Sequence, residues 1–85
     1  MAYTVNIFPA ALKALQEIPT KHREKIRNKI DGLAENPRPP GVKRLKGGEG
    51  YYRIRSGDYR ILYLIVEAKL LVLVVKIGNR RDVYK

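Results

Sequence analysis

Residues 51–66 read Tyr-Tyr-Arg-Ile-Arg-Ser-Gly-Asp-Tyr-Arg-Ile-Leu-Tyr-Leu-Ile-Val, two strand-like runs around the turn residues Ser56-Gly57-Asp58. Successive side chains on a strand point to opposite faces, so Arg53 and Arg55 share a face when this run is extended. A hairpin sets Arg60 on the neighbouring strand, close to the turn, where cross-strand proximity gathers the three guanidinium groups into one patch. A third run, residues 70–77, follows Glu67-Ala68-Lys69, and both connections have hairpin length and suitable turn residues. Leu70-Leu71-Val72-Leu73-Val74-Val75 is apolar on both faces, which predicts a central strand with packing on each side.

Working outward, residues 3–8 alternate Tyr3, Val5 and Ile7 with Thr4 and Asn6, the period of a half-buried strand that Pro9 ends. The spacing then lengthens. Leu12, Leu15 and Ile18 recur at helical intervals, with Lys13, Gln16 and Glu17 on the other side. Pro19 breaks this helix, and Thr20 is expected to cap a second one carrying Ile26, Ile30 and Leu33 on one stripe. Lys21, Arg23, Lys25, Arg27 and Lys29 fall at every second position, so they spread around that helix and read as a solvated surface, some of them within reach of phosphates. Asn36-Pro37-Arg38-Pro39-Pro40-Gly41 cannot continue a helix and reads as a stiff loop. The run Gly47-Gly48-Glu49-Gly50 lacks the helix-initiating context of a phosphate-binding fingerprint and is expected to be a flexible turn into a strand.

The order along the chain is therefore βααβββ. The expected fold is α+β, with two N-terminal helices packed on a small, mostly antiparallel four-stranded sheet. At 85 residues the chain fits one domain spanning residues 1–85.

Composition narrows the function classes. The chain has 18 Lys and Arg against 8 Asp and Glu, a net charge of +10, and no cysteine. Residues 1–37 hold 6 basic and 4 acidic side chains and residues 38–85 hold 12 and 4, so the excess travels with the strands. Such a field concentrates polyanions and equally favours an acidic protein partner. Without cysteine, disulfides and thiolate metal sites are excluded, and no cofactor is expected. The N-terminus has no signal-peptide apolar region, and the longest apolar run is far below the ~20 residues of a membrane helix. A soluble, cytoplasmic protein is expected.

Catalytic sets of the usual kinds are missing. The lone histidine, His22, has no motif around it and reads as a surface or half-buried structural residue. Glu49, Asp58 and Glu67 sit at turns. Arginine and tyrosine remain. Gly78-Asn79-Arg80-Arg81-Asp82-Val83-Tyr84-Lys85 follows the central strand, where a rigid scaffold presents functional groups. Tyr84, beside that basic cluster, suits either packing or stacking on an exposed base.

Taken together, Lys43-Arg44-Leu45-Lys46-Gly47, Tyr52-Arg53-Ile54-Arg55, residues 58–63 and residues 77–84 resemble, in order and spacing, the RelE branch of the RelE/ParE toxin superfamily of toxin–antitoxin pairs. The resemblance implies a ribosome-dependent endoribonuclease that cuts messenger RNA in the A site and is suppressed by a cognate acidic antitoxin. It implies catalytic roles for Arg53, Arg55, Arg60 and Arg80 around the scissile phosphate. RNA contacts fall to Lys43, Arg44, Lys46 and Arg81, with Tyr84 stacking on a codon base. The implied reaction is a metal-free attack of the 2′-hydroxyl on the adjacent phosphate. Arginine occupies both 53 and 55 where some relatives have lysine, and Asn79 stands where a histidine is frequent, so weakened cleavage is expected. Two other readings stay open, a ParE-like toxin acting on gyrase and a noncatalytic basic RNA-binding domain.

Overall fold

The computed structural model describes residues 2–45 and 50–79. Strand β1 (Thr4–Ile7) leads into helix α1 (Pro9–Glu17) and helix α2 (Thr20–Gly32); β2 (Lys43–Arg44), β3 (Tyr51–Ser56), β4 (Tyr59–Val66) and β5 (Leu71–Asn79) follow. The sheet has five strands in the order β1-β5-β4-β3-β2. Only the β1–β5 pair is parallel; the others are antiparallel.

Pro9 serves both neighbours. It stops β1, and it occupies the first turn of α1, where its missing N–H costs nothing. Leu15 and Ile18 of the expected apolar stripe are buried, while Leu12 is exposed and Ala11 takes the inward place beside it. The expected cap at Thr20 is also corrected. Pro19 takes the cap position, Thr20 is already helical, and its hydroxyl accepts from the Arg23 guanidinium at 3.0 Å. The α2 stripe of Ile26, Ile30 and Leu33 is buried as expected.

The helices cover one face of the sheet, and the core fills the space between with Ile54, Ile61, Tyr63, Ile65, Val72, Val74 and Ile77 from the strands. A bulge tunes β5 to this face: Leu62 pairs with Lys76 and Tyr63 with Val74, so Val75 is skipped. Val74 and Ile77 can then both point inward although they are three positions apart, an offset that puts residues on opposite faces of a regular strand. β5 lies between β1 and β4 as expected of a central strand. Its second face is less covered than the run of apolar residues predicts, with Leu71 and Leu73 half-buried.

Two expectations about the strands are revised. A fifth strand exists, but it is two exposed, charged residues with no alternation to reveal it. Residues Glu67–Lys69 form a 3₁₀ turn, closed by Leu70 in the left-handed region at φ 48°. Gly50 enters β3 at φ +79°, where an added Cβ would meet the Ile65 carbonyl oxygen at 3.0 Å, so glycine is required there.

No helix among the described residues is long and apolar enough to cross a membrane.

Candidate functional site

The β3–β4 hairpin sets the geometry. Arg55 lies directly opposite Arg60, and Arg53 lies opposite Leu62, two positions along the same face. Antiparallel partners share a face, so Arg53, Arg55 and Arg60 converge on the side of the sheet turned away from the helices. Two neighbours extend the patch. Lys43 of β2 is opposite Arg53, and Lys76 of β5 is opposite Leu62. Gly78 pairs with Arg60 and adds no side chain beside it.

Depth within this face is uneven. Arg55 is exposed, whereas Arg53 and Arg60 keep only 7% and 6% of their surface in contact with solvent. Their Nε atoms are fully buried. Burial, and then the like charge of Arg55, lowers the Arg53 pKa from its ordinary value. An arginine starts so far above neutrality that it stays charged. The hairpin therefore holds concentrated positive charge on a rigid support with two of its three guanidiniums partly desolvated, a setting in which an anion is attracted more strongly than at an open surface.

A second cluster, built around Arg38, lies on the opposite face. The loop after α2 is fastened by Tyr63, whose buried hydroxyl donates to the Pro37 carbonyl at 2.7 Å. Arg38 donates from Nε to the Tyr52 hydroxyl at 3.1 Å and pairs with Glu67 at 2.6 Å. The Tyr3 hydroxyl donates to the other Glu67 oxygen at 2.8 Å. The Tyr52 and Tyr63 rings stack with centroids 5.9 Å apart. Bonds from Tyr3 and Arg38 hold the Glu67 carboxyl below its ordinary range, while Tyr52 and Glu67 raise Arg38. Burial pushes the Tyr63 phenol up. Every charge in this cluster is answered within the fold.

Among the sequence candidates, Arg53, Arg55, Arg60 and Lys43 are brought together. Arg44 is not: it pairs with Tyr52, which puts it on the other face. Lys46, Arg80, Arg81 and Tyr84 lie outside the described residues, as does Val83. Asn79 ends β5 opposite Tyr59. His22 is exposed, with its ring 5.6 Å from that of Tyr59, and is not part of the arginine face. Lys76 joins the face without having been singled out in the sequence; the one polar break late in the apolar β5 run was its signal. No cluster of His, Cys, Asp or Glu that could hold a metal occurs among the described residues.

This architecture is that of the toxin subunits of toxin–antitoxin complexes. The chain superposes on the crystal structure of the archaeal RelE–RelB complex from Pyrococcus horikoshii with a TM-score of 0.85 at 31% identity, covering 96% of this chain and 99% of that one. It superposes on the intact Escherichia coli RelBE complex with a TM-score of 0.80 at 30% identity, covering 92% and 96%. In sequence it is 33% identical over 82 residues to the mRNA interferase toxin RelE of E. coli, across 94% of this chain and 85% of that protein. Residues 5–84 match the family described as the ParE toxin of the type II toxin–antitoxin system parDE. The chain belongs to this RelE/ParE toxin family, and the relatives named here place it with RelE.

Proposed function

We propose that the chain is the toxin of a type II toxin–antitoxin pair and acts, as a single cytoplasmic domain, as a ribosome-dependent endoribonuclease on messenger RNA in the A site. The observation that carries this reading is the convergence of Arg53, Arg55 and Arg60 on one face of a rigid hairpin.

The chemistry follows from where charge develops. The 2′-hydroxyl gives up its proton and attacks the neighbouring phosphorus; the bond to the 5′-oxygen breaks, and that oxygen takes up a proton. The products are a 2′,3′-cyclic phosphate and a 5′-hydroxyl. Negative charge grows on the phosphoryl oxygens in the transition state, and guanidiniums already fixed in place stabilise it without reorganising. Arg80 is assigned to the same phosphate, Tyr84 to a codon base, and Lys43, Lys46 and Arg81 to the RNA backbone. An arginine is a poor general base, and Asn79 carries an amide that donates no acid proton. The chain therefore contributes charge and orientation, while the ribosome holds the message for in-line attack. Cleavage slower than in relatives with a histidine at the position of Asn79 is part of the proposal. The partner is an acidic antitoxin whose charge complements the +10 chain.

Mapping the 5′ ends of messages in a translating extract tests this reading. New ends are expected with the wild-type chain and not with Arg60→Ala or Arg80→Ala; ends that persist in both variants overturn it. DNA damage without cut messages would instead favour the gyrase reading.

A further inference from the structure

A groove of about 600 Å³ runs along the outer edge of β3, between α2 and the loop that follows it. That volume lies within the ~300–1,000 Å³ of typical small-ligand sites. The edge is open for a reason. β2 ends opposite Arg53, so residues 54–56 have no strand beside them on that side among the described residues. Lys29 of α2, Lys43, Arg53 and Arg55 bring positive charge to the groove, and Pro39, Pro40, Val42 and Ile54 supply apolar wall.

The wall is built before any ligand arrives. The Tyr63 hydroxyl fixes the Pro37 carbonyl, Arg38 is held between Tyr52 and Glu67, and the Val42 N–H closes a turn on the Pro39 carbonyl at 3.1 Å. Gly41, at φ +86°, lets the chain make that turn. Fixed cations beside a fixed apolar surface match a nucleotide, which offers a charged phosphate next to the weakly polar faces of a sugar and a base. Three of the four cations, Lys43, Arg53 and Arg55, also belong to the arginine face, so a chain lying across that face continues into the groove.

Resting on the ribonuclease reading above, we propose that this groove holds one nucleotide of the message flanking the cleaved linkage, with Lys29 as a substrate-binding residue and the Pro39–Val42 segment as the platform for its sugar or base. Lys29 is exposed on α2, so replacing it leaves the core intact. An acidic protein segment is the competing occupant.

The test is single-turnover cleavage on ribosomes programmed with short messages, titrating the toxin. Lys29→Glu is expected to raise the half-saturating toxin concentration about tenfold with the saturated rate retained, and Lys29→Arg to restore binding. Messages trimmed one nucleotide at a time on either side of the cut should reach a length at which wild type and Lys29→Glu become equal, because the contact no longer exists to lose. A penalty independent of message length would place Lys29 on ribosomal RNA and overturn the proposal. So would Lys29→Glu cleaving like wild type, including the case in which only neutralisation by antitoxin is weakened. Cleavage retained by Arg60→Ala in the same assay would fail the ribonuclease reading itself, a result separable from failure of the groove.

Discussion

The two faces of the β3–β4 hairpin each carry buried or anchored arginine, and the physics of the two is opposite. Arg38 is answered by the fold: the Tyr52 hydroxyl oxygen and the Glu67 carboxylate both accept from it, and its pKa rises. Arg53 is set among like charge and away from water, and its pKa falls. A fold that spends burial on crowding cations gains nothing in stability from the crowding itself, since like charges within a few ångströms repel. A ligand that brings negative charge reverses that cost. Under the proposed function the arginine face is the binding device, and the Arg38 cluster fastens the fold.

The sharpest way to break this contrast is to compare Arg55→Ala with Arg38→Ala in the same cleavage assay. On the ribonuclease reading, loss of the exposed Arg55 removes a group whose contact strengthens in the transition state, and the saturated rate should fall about a hundredfold with little change in urea midpoint. Arg38→Ala should act in the other column. Its saturated rate stays within the wild-type range while the half-saturating toxin concentration rises, because the groove wall loosens. If Arg38→Ala instead lowers the saturated rate as far as Arg55→Ala does, the division between the faces fails.

A second substitution probes the fastening alone. Tyr63→Phe removes the hydroxyl that donates to the Pro37 carbonyl and leaves that buried oxygen without its donor. An unsatisfied buried acceptor costs about 1–3 kcal/mol, which urea unfolding resolves readily. A variant as stable as wild type would show that the loop is held elsewhere.

The difference between the faces also marks how far the sequence could be read. Alternation along residues 51–66 was enough to put Arg53, Arg55 and Arg60 together, because strand period and hairpin length are local properties. It could not give depth: Arg53 and Arg55 have the same parity, yet one is buried and the other exposed, and only the packing of neighbouring elements decides that. β2 escaped notice because two charged residues carry no periodicity and pair only when β3 is there to receive them. Thr20 had the chemistry of a cap, but Pro19 already held the cap position. Glu67 read as a turn residue, since nothing local announces partners at Tyr3 and Arg38. Lys29 was lost among evenly scattered helix cations, and its distinction comes only from the groove it borders.

The smallest expected effect concerns the acid limb of stability. Glu67 binds its proton less readily in the folded chain than in the unfolded one, because the charged form accepts from Tyr3 and pairs with Arg38. The unfolded state therefore takes up the proton first as pH falls. The contribution of Glu67 is complete above the ordinary glutamate value of about 4.3 and disappears as the pH drops through the lower folded value. Glu67→Gln should thus lower the urea midpoint slightly at pH 7, and the gap to wild type should close towards pH 3. The effect is kept small by solvent, since the side chains of Arg38 and Glu67 retain 45% and 53% of their exposure. Added salt should shrink the pH 7 gap further by screening the pair. A gap that widened on acidification would mean that the neutral carboxyl, not the ion pair with Arg38, is what the fold prefers, and the fastening would then rest on Tyr63 and Tyr52 alone.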